Sequence, residues 1–130
     1  MSESQRISAL NQQLLTNTGD AVVIASNDGT ILEWNEAATR IFGWTREQAI
    51  GENIDMMIPD NQKDAHWQGY DRVLESGETK YTNGTLLNVS AQKADGTRVG
   101  VAMSVTPLKE DGSTTAIGVI VRPVRAPAQG

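Results

Sequence analysis

One histidine, His66, stands in a chain of 130 residues that has no cysteine, and its setting decides what chemistry is open to it. A neutral imidazole can offer a lone pair to a metal or carry a proton near neutral pH. A metal site needs more than one such nitrogen, so spacing alone favours a core histidine hydrogen-bonded to a carbonyl. Without cysteine the chain has no disulfide, no thiolate zinc site, no iron–sulfur cluster, no thiol nucleophile and no cysteinyl-cofactor photochemistry. A multi-ligand transition-metal site would have to draw on carboxylates. The sequence holds no G-x-S-x-G, P-loop or G-x-G-x-x-G pattern, and its acidic residues fall mainly in turns and helix starts, where capping accounts for them. No enzymatic activity is expected.

The element that must carry His66 is a helix within IPDNQKDAHWQGYDRVLESG, residues 58–77. Pro59 suits a first turn, Asp60 or Asn61 can cap it, and Gly77 can stop it. From His66 the helical spacing picks out Gly69, Tyr70, Val73 and Leu74, with Lys63, Asp64, Asp71 and Glu75 off that stripe, so the imidazole points at the core. Gly69 costs about 1 kcal/mol relative to alanine inside a helix. Either something flat lies against the backbone there, or another element packs closely on it.

The net charge of −5, with basic residues scattered singly, gives no stripe for nucleic acid or an anionic membrane surface. No run of 18 apolar residues is present, and MSESQRISAL lacks the features of a signal peptide. The expected location is cytoplasmic.

Along the chain, Ile7, Leu10, Leu14 and Leu15 share one face of a helix over residues 4–15. It either serves dimerisation and signal coupling or lies as a lid on the sheet. Two β-rich runs, 21–25 and 30–34, flank Asn27-Asp28-Gly29 and form a hairpin. Asn35 can cap a short helix ended by Gly43, and Thr45 with Gln48 starts another ended by Gly51. After Gly77 the period changes to two: runs at 85–93, 97–106 and 115–124 form a meander turning at Asp95-Gly96 and across 107–113. Val99, Val101, Met103 and Val105 share its inner face. The expected architecture is α+β: an N-terminal amphipathic helix or cap (1–19), a five-stranded antiparallel sheet with short helices over one face (20–124) enclosing a pocket, and a tail or linker (125–130). There are no internal repeats.

The segment NDGTILEWNEAATRIFGWTREQAIGENI, with Trp34-Asn35, Ala37-Ala38, Phe42-Gly43-Trp44, Glu47 and Gly51, resembles the PAS domain family, and the Asp95-Gly96 turn agrees. MIPDNQKDAHWQGYDRVLESGE is similar to the histidine helix of heme-binding oxygen-sensor PAS domains, of the rhizobial sensor-kinase and oxygen-sensing phosphodiesterase types. That resemblance implies heme b, with His66 as the iron ligand and Gly69 and Tyr70 on the same wall. It puts Arg72 and Lys80 at heme propionates, and Met103 and Val105 on the gas-binding side. Where the rhizobial sensors carry a distal arginine this chain has Leu87, or Leu86 if the register slips by one. Where the phosphodiesterases carry a methionine as sixth ligand it has Tyr81, Thr82, Asn83 and Gly84. An apolar distal side implies a preference for CO or NO over oxygen. The implied function is sensing of a diatomic gas or of redox state, with a conformational change relayed through a likewise implied homodimer, made by the N-terminal helix and sheet, to an output domain outside this chain. The alternatives are a ligand-free PAS module for dimerisation or protein interaction, and a noncovalent flavin-binding PAS domain.

Overall fold

The computed structural model describes residues 1–78 and 86–124. Helix α1 (Glu3–Asn17) opens on a capping box between Ser2 and Gln5. Strands β1 (Ala21–Ser26) and β2 (Ile31–Trp34) form the expected hairpin. Gly29 takes the left-handed conformation of its turn (φ 87°), and the Asp28 carboxylate accepts from the Thr30 amide (3.0 Å) and from the Ser26 hydroxyl. Two short helices follow, α2 (Glu36–Phe42) capped by Asn35 and α3 (Arg46–Ala49) boxed between Thr45 and Gln48. After 3₁₀ turns at Ile54–Met57 and Asp60–Gln62 comes α4 (Lys63–Ser76), closed by Gly77 at φ 70°.

Strands β3 (Leu87–Gln92), β4 (Arg98–Glu110) and β5 (Ser113–Pro123) complete an antiparallel sheet in the order β2-β1-β5-β4-β3. Its register builds continuous rows: Leu87, Met103, Val121 and Ala21 stand side by side, and so do Val105, Val119, Val23 and Trp34. These rows face the helices. They join Ile31, Ala37, Ala38, Phe42, Ile54, Met57 and Tyr70 in one hydrophobic core. Trp34, fully buried, packs against Phe42 (ring centroids 5.7 Å apart), and its indole N–H donates to Trp44 O at 3.0 Å. Burying Phe42 alone contributes roughly 1.5–3 kcal/mol.

Three local expectations are corrected. β4 runs through Pro107 and Leu108 to Glu110, so the turn shrinks from 107–113 to Asp111-Gly112. Pro107 is tolerated because β3 pairs with β4 only as far as Met103, which leaves one side of the strand needing no donor. Asp60 and Asn61 do not cap α4: Gln62 precedes it without a side-chain cap, and Asp60 pairs with Lys63 (3.3 Å) instead. Nor is α1 a lid. None of its residues is buried, and Ile7, Leu10 and Leu14 are 48%, 48% and 68% exposed.

What fastens the end of α1 is Asn35, the one buried polar residue among those described. Its Oδ1 accepts from Val22 N (2.9 Å) and Ala38 N (3.0 Å), while Nδ2 donates to Leu15 O (2.8 Å) and Asp20 O (3.0 Å). We expect Asn35→Ala to lower the urea unfolding free energy by about 3 kcal/mol, since it removes a cap and strands buried backbone groups. Asn35→Asp, which keeps the two accepting bonds, should lose less.

Candidate functional site

His66 lies on the second turn of α4, on the face that Tyr70, Val73 and Leu74 press against the core. The inward stripe expected from spacing is therefore present. The imidazole is half-buried, its Nδ1 is fully buried, and that atom has no hydrogen-bond partner. Burial lowers the His66 pKa, and the attraction of nearby Asp55 only partly offsets this, so the ring is neutral near neutral pH. The expected carbonyl partner of a core histidine is absent among the described residues.

Aromatic contacts hold the ring instead. The Trp67 ring meets it edge-on (4.8 Å, 80°) and the Tyr70 ring lies 5.7 Å away. Both neighbours are anchored. Trp67 Nε1 donates to Asp55 Oδ1 (2.8 Å), and Asp55 Oδ2 pairs with Lys63 Nζ (2.9 Å). These two bonds hold the Asp55 carboxyl below its ordinary pKa. The Tyr70 hydroxyl donates to Ser26 O and lies 3.3 Å from Ala25 O, and burial pushes its pKa up to about 12. Tyr70 is thus committed to the backbone of β1.

Gly69 is half-buried, yet a Cβ there would meet no atom of another element within 4 Å. Open space lies beside the helix backbone, which overturns the close-packing explanation for this glycine. Leu87, Met103 and Val105 are half-buried on the sheet face that the helices cover, Leu87 directly opposite Met103. Leu86 precedes β3 and is 50% exposed, so Leu87 holds that place and the one-residue slip does not occur. Arg72 is exposed, its Nε within 3.4 Å of Gln68 O. Lys80 and the stretch from Tyr81 to Gly84 lie outside the described residues. Among those described, no three His, Cys, Asp or Glu side chains cluster to hold a metal ion, so a metal on His66 would have to bring most of its own donors. Sequence reasoning missed Trp67 and Asp55; the signal available was an aromatic residue adjoining the histidine and an acid one turn before the helix.

A five-stranded antiparallel sheet in this order, with short helices over one face, is a PAS fold, and the profile of that fold matches residues 9–124. The chain belongs to the PAS family. Over 90 residues it is 40% identical to an uncharacterised protein of Azorhizobium caulinodans, covering 68% of this chain and 12% of that protein. It is 33% identical over 91 residues to the oxygen sensor protein DosP of Escherichia coli, covering 70% of this chain and 11% of DosP. With the sensor protein FixL of Bradyrhizobium diazoefficiens the identity is 26% over 94 residues, covering 72% of this chain and 18% of FixL. The chain thus spans roughly a tenth to a fifth of the length of these relatives. Among solved structures, a PAS domain from Colwellia psychrerythraea superposes with a TM-score of 0.75 at 19% identity, over 91% of this chain and 97% of that one. The light-oxygen-voltage protein RsLOV gives 0.73 at 12% identity, over 98% and 72%. At these identities the structural likeness speaks for the fold.

The depressed His66 pKa carries a sign. The unfolded imidazole, near 6.5, takes up a proton before the folded one does, so the contribution of His66 to stability is intact above that pH and is lost as pH falls through it. Urea midpoints at pH 7.5 and 5.5 should therefore differ more in the wild type than in His66→Ala.

Proposed function

We propose that this PAS domain holds heme b through His66 and senses a diatomic gas (O2, CO or NO) or redox state. The observation that carries this reading is the buried, unpartnered Nδ1 of a neutral imidazole on the inward face of α4. Leaving such an atom without a partner costs about 1–3 kcal/mol, a cost that a site meets when the ring has a ligand to serve. The other residues fit a flat, apolar group. Gly69 leaves its backbone open to a ring face. Leu87, Met103 and Val105 offer a wall without a hydrogen-bond donor, which favours CO or NO over oxygen. Exposed Arg72 can turn to an anionic edge, and Lys80 is assigned the same role from the resemblance. Tyr70, held on Ser26 O, packs beside the imidazole without competing for the metal. When bound, heme supplies an iron centre that takes a gas molecule or changes oxidation state.

The 33% identity to a protein named as an oxygen sensor supports gas sensing. In this reading the domain is a sensor rather than an enzyme. It works in the cytoplasm, without nucleic acid or membrane as partner, and passes its change to an output domain or partner beyond this chain. Among the described residues no helix is long and apolar enough to cross a membrane.

A second element of the reading is a homodimer. α1 leaves Ile7, Leu10 and Leu14 exposed, and Leu32 and Ile120 are 51% and 46% exposed on the sheet. A second copy bringing the same surface would cover both. Leu10→Asp combined with Leu14→Asp should convert a dimer mass to a monomer mass in light scattering, and an unchanged mass would remove α1 from the interface.

For the cofactor, absorption spectra of the purified protein mixed with hemin, oxidised and then reduced under CO, decide. A saturable Soret band at one heme per chain, shifted by CO and lost in His66→Ala, is expected. No saturable band, or one indifferent to the substitution, would return His66 to the core and leave a dimerisation module, while flavin-type absorption in the blue would point to the flavin alternative.

A further inference from the structure

A histidine that binds a metal is ordinarily oriented by a hydrogen bond from its second ring nitrogen to a carboxylate, carbonyl or water. Among the described residues none makes such a bond to His66, and its Nδ1 is buried without one. Something else must fix the ring. The residue after it is built to do so. Trp67 meets the imidazole edge-on at 4.8 Å and also packs against Tyr70, with centroids 5.1 Å apart. It is itself pinned at both ends. The indole N–H is held by Asp55, whose other oxygen is held by Lys63. The far edge of the indole lies over the β1–β2 turn, where a Cβ at Gly29 would come 2.5 Å from Trp67 Cη2, so the seat exists only above a glycine.

We propose that Trp67 is the positioning residue of His66: the indole, locked between Asp55 and Gly29, sets the plane and direction of the imidazole in place of the usual hydrogen bond. The proposal rests on the reading of His66 as a heme ligand, but the seat itself can be measured without heme. Because His66 is the sole histidine, its ring protons give unambiguous resonances. Two readouts are needed: nuclear Overhauser contacts from the His66 ring to the Trp67 and Tyr70 rings in the heme-free protein, and hemin affinity by Soret titration.

Trp67→Phe keeps an aromatic ring but loses the N–H. Asp55→Ala loses the acceptor and leaves every aromatic residue in place. Both should change the ring contacts between His66 and Tyr70 and weaken hemin binding by about 10-fold or more. Asp55→Asn, which retains an acceptor oxygen, should restore both readouts nearly to wild type. Unaltered ring contacts in Trp67→Phe and Asp55→Ala would overturn the proposal. So would an Asp55→Asn variant that behaves like Asp55→Ala, since the effect would then belong to lost charge. Wild-type protein that takes up no hemin would defeat the ligand reading of His66, and the heme-free ring contacts would still decide the seat.

Discussion

The side-chain amide of Asn35 is the constraint on which the arrangement of the chain depends. It sits where four pieces meet: the end of α1, the link to β1, the first residues of β1 and the start of α2. Each has a backbone group that would otherwise be unsatisfied. The Leu15 carbonyl is one of the last four of α1, which have no partner within the helix, and the Ala38 amide is one of the first of α2. One planar side chain with two acceptor sites and two donors answers all of them. An aspartate would lose the donors, and a serine could not span the distance. Because α1 buries no side chain, its placement against the domain rests on this amide and on the longer Gln12–Glu33 contact of 3.4 Å. The helix is attached at its end and free along its face.

A second fastening holds α4 to the other end of the same hairpin. Tyr70 reaches the carbonyls of Ala25 and Ser26 where β1 ends, and Trp67 covers Gly29 in the turn between β1 and β2. Near the helix terminus, Gly77 comes close to Lys109 and Thr114 at the β4–β5 turn, where a side chain would crowd both. Thus α4 lies across two hairpin ends of the sheet. His66 falls between the anchored aromatics, while β1 runs from their contact points to the Asn35 cluster at its start. A displacement at one end of β1 is mechanically continuous with the helix junction at the other, because the strand between them is paired on both sides.

Much of this was legible in the sequence, and for physical reasons. Hairpin turns announce themselves because Gly29, Gly96 and Gly112 stand where the backbone takes positive φ, and helix ends because Gly43 and Gly77 do the same. The inward stripe of α4 and the alternation along β4 follow from period alone. What was hidden depends on partners distant in sequence. Asn35 read as a cap, and only the fold shows its amide also reaching Leu15 and Asp20. Pro107 read as a strand breaker, since a sequence does not show that β4 outlasts its pairing with β3. Asp60 read as a cap, but Lys63 one turn on gave it an ion pair instead. The Trp67–Asp55 bond was invisible because aromatic and acid come from different elements.

The state of the imidazole follows from how these local bonds compete. Asp55 is the nearest carboxylate able to favour a charged ring, and a free carboxylate there would pull the His66 pKa up. Its two oxygens are instead engaged, one by the indole N–H and the other by an ammonium group. The Lys63 charge cancels much of the field that would reach the ring, and the energy of removing imidazolium from water then exceeds the attraction that is left. The same carboxylate that steadies Trp67 is thereby kept from protonating its neighbour. A neutral, sterically fixed imidazole beside an open stretch of helix backbone is the form in which histidine donates a lone pair, and Lys63 secures it from one turn away without touching the ring.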